Sequence, residues 1–131
     1  PLSRYLGQGH LLVTLSSSFL LLAGALVAQA LFPTLAGLTA GRIAMGLGMT
    51  LGFISLHALI AAVVTHENAG RTFGWFESNA KWGAVGAGLI AGTAVQAFDL
   101  RAPFFIGAFT LFACGTYLAG VAFHRLRLRN S

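Results

Sequence analysis

Four ionisable residues stand in or beside long apolar runs: Arg42, His57, Glu77 and Lys81. Charged or protonatable groups at membrane depth are costly, and they usually face a water-filled cavity, a substrate or one another. At about 100° per residue, His57 falls near 60° and Gly46 near 40° when Arg42 is set at zero. Arg42 and His57 therefore share one face of one helix. Arg42 can also snorkel to a membrane surface, and His57 can simply bond a neighbouring backbone carbonyl. Counting from Glu77, Lys81 lies near 40°, Gly88 near 20° and Gly92 near 60°. Lys81 follows Glu77 by four residues, the favoured order for an ion pair within a helix. Such a pair can be purely structural, or it can exchange partners as a protein changes state. With the lysine so close, Glu77 suits a switchable ion-pair partner better than a free proton carrier.

These residues need apolar helices to hold them, and the chain supplies little else. Of 131 residues, 56% are hydrophobic and 8% charged, against about 25% charged in soluble domains. Mean hydropathy is +0.80. Four runs reach the ~20 residues needed to cross a ~30 Å hydrocarbon layer. The expected helices are residues 11–32, 38–64, 72–98 and 103–123, an all-α polytopic membrane protein with one transmembrane domain over 1–131. A soluble bundle would need polar helix faces, which these runs lack. The first run is too long for a cleavable signal peptide and lacks a basic start. A chain beginning at Pro1 is expected to lack its true N-terminus.

Net charge is +5, but its placement argues against nucleic acid, because no aromatic-interleaved basic surface is present. Arg4, Arg71, Arg125, Arg127 and Arg129 fall on one side of four crossings, and only Arg101, beside Asp99, falls on the other. The basic side marks the cytoplasm, so both termini are expected there. The tail "HRLRLRNS" suits anionic headgroups. Cys114, the single cysteine, forms no internal disulfide and reads as a small packing residue.

Enzyme chemistry finds no convergent set of residues. His57 has no cysteine, histidine or carboxylate at helical spacing, so no metal is expected. "GAVGAGLIAG" lacks the Lys-Ser/Thr ending of a phosphate loop, and no cofactor is expected. Glycines instead crowd two helices. Gly46, Gly48 and Gly52 mark the second, and Gly83, Gly88 and Gly92 the third. Four-residue glycine spacing lets helix backbones approach closely. The second and third helices are therefore expected to pack against protein, and parts of the bulkier first and fourth to face lipid.

The order of these motifs resembles four helices of a major facilitator superfamily transporter. "PLSRYLGQGHLL" looks like a degraded form of that family's cytoplasmic loop motif between a half's second and third helices, with Leu2, Gly7 and the following apolar run fitting. "GRIAMGLGMTLG" is similar to its fourth-helix motif, with Arg42 and Gly46 matching. "HENAGRTFG" resembles the following loop, with Arg71 and Gly74 in place. "GAVGAGLIAG" resembles the glycine-rich fifth-helix motif of antiporters, with Gly88 where that motif has proline. "LRAPFFIGA" fits the start of a half's last helix. The resemblance implies helices three to six of the N-terminal half, or their C-terminal equivalents, in a multi-pass protein of a cell membrane such as the bacterial inner membrane. It implies proton-coupled efflux of a small solute or drug by alternating access, with the bilayer, the substrate, protons and the remaining helices as partners. Arg42 and His57 would then be cavity-side groups, and Glu77 with Lys81 a coupling or gating pair. The alternative is a standalone four-helix membrane subunit or assembly factor without transport.

Overall fold

A computed structural model of the chain describes residues 2–65 and 67–129. The described residues form four helices: α1 (Leu2–Leu31), α2 (Leu35–Val63), α3 (Ala69–Ala97) and α4 (Ala102–Arg129). The helices reach further than the apolar runs at both ends of the chain. Hydropathy marks the membrane-soluble part of a helix, whereas backbone hydrogen bonding continues until a residue breaks it. Among the described residues, three helices are long and apolar enough to cross a membrane: Gly9–Leu31, Leu35–Val63 and Ala102–His124. The chain thus fits a membrane-spanning protein. α3 falls short of the same measure because Arg71, Glu77, Asn79 and Lys81 occupy its first half.

The breaks have local causes. Pro33 ends α1, and Thr34 starts α2, its Oγ1 accepting the Gly37 N–H at 3.1 Å. That hydroxyl cap satisfies one of the orphan amides of the first turn. Gly37 is required by crowding: a Cβ there would stand 2.6 Å from the Phe32 carbonyl oxygen. Between α2 and α3 the Asn68 N–H bonds the Thr65 carbonyl at 3.0 Å, and Thr72 then bonds Asn68. Arg71 therefore sits in the first turn of α3 rather than in a loop, because nothing between Ala69 and Gly74 breaks a helix. Asp99 makes the last turn, accepting the Leu100 N–H at 2.7 Å and presenting its carbonyl to Ala102 at 3.0 Å.

The chain divides into two compact units. One holds α1, α2 and α4; the other spans Val63–Pro103 and is built on α3. In the first unit α1 is the central helix, packed on both α2 and α4, while Val13, Leu20, Leu21 and Leu31 stay exposed. Its buried positions form two sets. Leu15, Ser18, Leu22, Ala25 and Gln29 recur at alternating spacings of three and four. On α2, Gly41, Gly48, Gly52 and Ser55 are buried, and half-buried Met45 completes the same rhythm. The two sets mesh in one antiparallel register. A Cβ on Gly52 would lie 3.0 Å from Ser18 Oγ, one on Gly48 3.0 Å from Leu22 Cγ, and one on Gly41 would overlap Gln29 Cγ. Each pair of residue numbers adds to 70. The seam has the alternating rhythm of a coiled coil, with glycine supplying the holes. Small residues, not bulk, make α1 the core: they let two backbones approach at once.

The other side of α1 packs on α4. A Cβ on Gly107 would reach Leu26 Cδ1 at 3.1 Å, and one on Gly115 would reach Leu20 at 3.2 Å and Phe19 at 3.3 Å. Rising numbers on α4 meet falling numbers on α1, so these two are antiparallel as well. α2 and α4 consequently run in the same direction.

Candidate functional site

The polar groups of the first unit fall into two classes. Most hydroxyls bond their own helix: Thr14 to the His10 carbonyl, Thr50 to Gly46, Thr110 to Ile106 and Thr116 to Phe112, all at 2.9 Å. That closes their hydrogen-bonding within the helix and lets them stand in an apolar setting. Ser16 is different. Its Oγ donates across to the Gly115 carbonyl on α4 at 2.8 Å, in a buried position.

Gln29 is the most demanding group. It is only 3% exposed, and its Nε2 donates to the Ala25 carbonyl at 3.2 Å and to Met45 Sδ at 3.0 Å. Its Oε1 is buried with no hydrogen-bond partner. A buried acceptor left unmet costs about 1–3 kcal/mol. The amide fills the notch opened by Gly41, so the most polar contact of the α1–α2 seam is also its tightest. Gln29, Ser16 and Ser18 were not singled out from the sequence. The signal was present: all three lie within an apolar run, and Ser18 and Gln29 share the three-four rhythm of Leu15, Leu22 and Ala25.

Arg42 and His57 lie on the α2 face away from this seam. Arg42 is exposed, as are Gly46 and Phe53 beside it, and His57 is half-buried. The His57 Nδ1 bonds the Phe53 carbonyl at 2.8 Å. Its ring stacks on Phe53 with centroids 5.5 Å apart and planes 19° apart. The shared face read from the sequence is present, and His57 engages its own helix there. Gly46 differs from Gly48 and Gly52, since a Cβ on it would meet nothing within 4 Å.

In the α3 unit Glu77 and Lys81 are both exposed. Among the described residues neither makes an ion pair, so the expected i, i+4 bridge is open. Gly74, Gly83, Gly88 and Gly92 have nothing within 4 Å of an added Cβ. The glycine face of α3 therefore has room beside it, whereas that of α2 is filled by α1. Trp75 and Trp82 are exposed at 71% and 75%.

An apolar groove of about 980 Å³ runs between α1 and α4, lined by Leu20, Gly24, Val27, Phe105 and Phe109 among others. It offers no charged or hydrogen-bonding side chain to orient a ligand. Among the described residues no group of three or more histidines, cysteines, aspartates or glutamates could hold a metal. Cys114 is exposed and free. No family model, no curated protein and no solved structure matches the chain.

Proposed function

We propose that this chain is a four-helix part of a secondary transporter of the major facilitator type, exporting a small solute or drug by proton-coupled alternating access. The observation that supports the four crossings this reading needs is the common direction of α2 and α4 on either side of α1. If those three apolar helices span a bilayer, α2 ends on one side and α4 begins on the other. Residues 64–101 must then return across, and α3 becomes a fourth crossing despite its polar first half. Four crossings leave both ends on one side, together with Arg71 and the arginine-rich tail, as the positive-inside rule favours for the cytoplasm.

In this reading the open glycine face of α3 and the outward face of Arg42 and His57 meet the remaining helices of the transporter or a water-filled path. Glu77 and Lys81, which make no ion pair among the described residues, are the pair free to exchange partners between states. The experiment is a charge exchange, Glu77→Lys with Lys81→Glu, in membrane vesicles carrying an imposed pH gradient. Normal insertion with loss of proton-driven dye or drug movement supports the gating role. Unchanged transport removes it.

The tight α1–α2 seam favours a second reading, a four-helix membrane subunit that assembles without transporting. Vesicles that hold the folded chain within its full reading frame, yet move no solute under any imposed gradient, would favour that reading.

A further inference from the structure

The small-residue stripe of α2 runs one turn further than the α1–α2 seam uses. Gly37, Gly41, Ala44 and Gly48 recur at intervals of four, three and four, the same rhythm as Ser18, Leu22, Ala25 and Gln29 on α1. Gly37 and Ala44 are half-buried, and neither belongs to the buried set that meshes with α1. The seam is also unfinished at this end. Gln29, only 3% exposed, lies in the Gly41 notch with its Oε1 unmet. Beside it a cleft of about 410 Å³ is lined by Ala25 and Ala28 of α1 and by Gly37, Gly41 and Ala44 of α2, among others. A buried polar group without a partner and a void on its flank are both departures from a closed, well-packed contact.

We propose that the seam has a second register, reached when α2 slides four residues along α1 toward its own C-terminal end. Each pairing then adds to 66 instead of 70: Gln29 meets Gly37, Ala25 meets Gly41, Leu22 meets Ala44 and Ser18 meets Gly48. The travel is about 6 Å, close to the ~5.4 Å one-turn steps by which packed helices switch between discrete arrangements. Residues 32–34 allow it. The helix ends they join are offset by about 6 Å along the axis in the observed register and level in the second. Gln29 gains most from the slide. In the observed register residues 35–40 extend past Gly41 and cover it, whereas in the second only residues 35–36 extend past Gly37. Its Oε1 then reaches water at the open end of the helix pair. Against this, Leu22 and Leu15 meet larger partners, Ala44 in place of Gly48 and Leu51 in place of Ser55, so the observed register is the more populated. The slide involves α1 and α2 alone and depends on neither the transport reading nor a particular depth in a bilayer.

Spin labels at Val13→Cys and Thr39→Cys, in a Cys114→Ser background, read the slide in the full chain held in lipid nanodiscs. Both positions are exposed. Val13 stands opposite residue 57 in the observed register and residue 53 in the second, about 27 Å and about 21 Å from Thr39 along the axis. Pulsed dipolar spectroscopy should therefore give a major distance and a minor one shorter by about 4–6 Å. Gly52→Ala sets a methyl 3.0 Å from Ser18 Oγ only in the observed register, and should raise the short population about fivefold or more. Ala44→Leu crowds Leu22 only in the second register and should abolish the short distance while keeping the long one, which itself reports a folded seam. Gln29→Met keeps the bulk but removes the unmet acceptor, and should also lower the short population, a result that packing alone does not give. A single unchanged distance in both the parent chain and Gly52→Ala overturns the proposal, and so does a short population that survives Ala44→Leu.

Discussion

Replacing Gly41 by alanine should damage the α1–α2 seam in a way that the same replacement at Gly46 does not. Both glycines lie inside α2, so both substitutions gain the same helix propensity, about 1 kcal/mol in soluble hosts. Only Gly41 faces α1. A Cβ there overlaps Gln29 Cγ and stands 3.0 Å from Cδ and 3.1 Å from Nε2, whereas at Gly46 it meets nothing within 4 Å. The crowded atoms sit near the root of the glutamine side chain, so a rotation of its tip does not relieve them. Either Gln29 leaves the notch and gives up its bonds to Ala25 and Met45, or the helices separate. Overpacking of this kind costs about 1–3 kcal/mol, and a lost interhelical hydrogen bond about 0.6 kcal/mol. Reversible unfolding in mixed micelles of rising denaturing-detergent content should therefore place Gly41→Ala about 1–3 kcal/mol below Gly46→Ala. Gln29→Ala in the Gly41→Ala background should recover part of the loss, with a coupling of about 0.5–3 kcal/mol. Equal stabilities for the two alanine variants, or no coupling to Gln29, would refute the seam and its register.

The same unfolding assay tests the other side of α1. Ser16→Ala removes the 2.8 Å bond to the Gly115 carbonyl and should cost about 0.6 kcal/mol, with an upper value near 1.7 kcal/mol. Gly115→Val should destabilise by roughly 1–3 kcal/mol because Leu20 and Phe19 already stand against that position, while Gly120→Ala, with open space around it, should not. Cys114, exposed on a helix long and apolar enough to span a membrane, should react in membranes with an apolar maleimide and resist a charged, membrane-impermeant thiol reagent from either side. Labelling of Cys114 by the charged reagent would mean that this part of α4 faces water.

Much of the local organisation was legible before any coordinates. Helix number, the breaks at Pro33 and Asp99, and the shared face of Arg42 and His57 all follow from residue order. The reason is that each depends on interactions within a few residues: backbone bonding, capping and a fixed angular step. The glycines show the limit. Gly46, Gly48, Gly83 and Gly88 look alike as sequence, yet only Gly48 among them has a neighbour waiting where its side chain would be. Nor did composition reveal that α1, rich in leucine, would be central, or that Gln29 would be buried with one oxygen unmet.

The amino-acid order on its own determined that the chain is helical, apolar and suited to a bilayer, because hydropathy and helix propensity are properties of single residues and short windows. Only the tertiary structure decided which faces meet, that α1 carries α2 and α4 on opposite sides, and that those two run in the same direction. Those facts depend on pairs of atoms far apart in the chain, where a methyl group present or absent settles whether two backbones can touch.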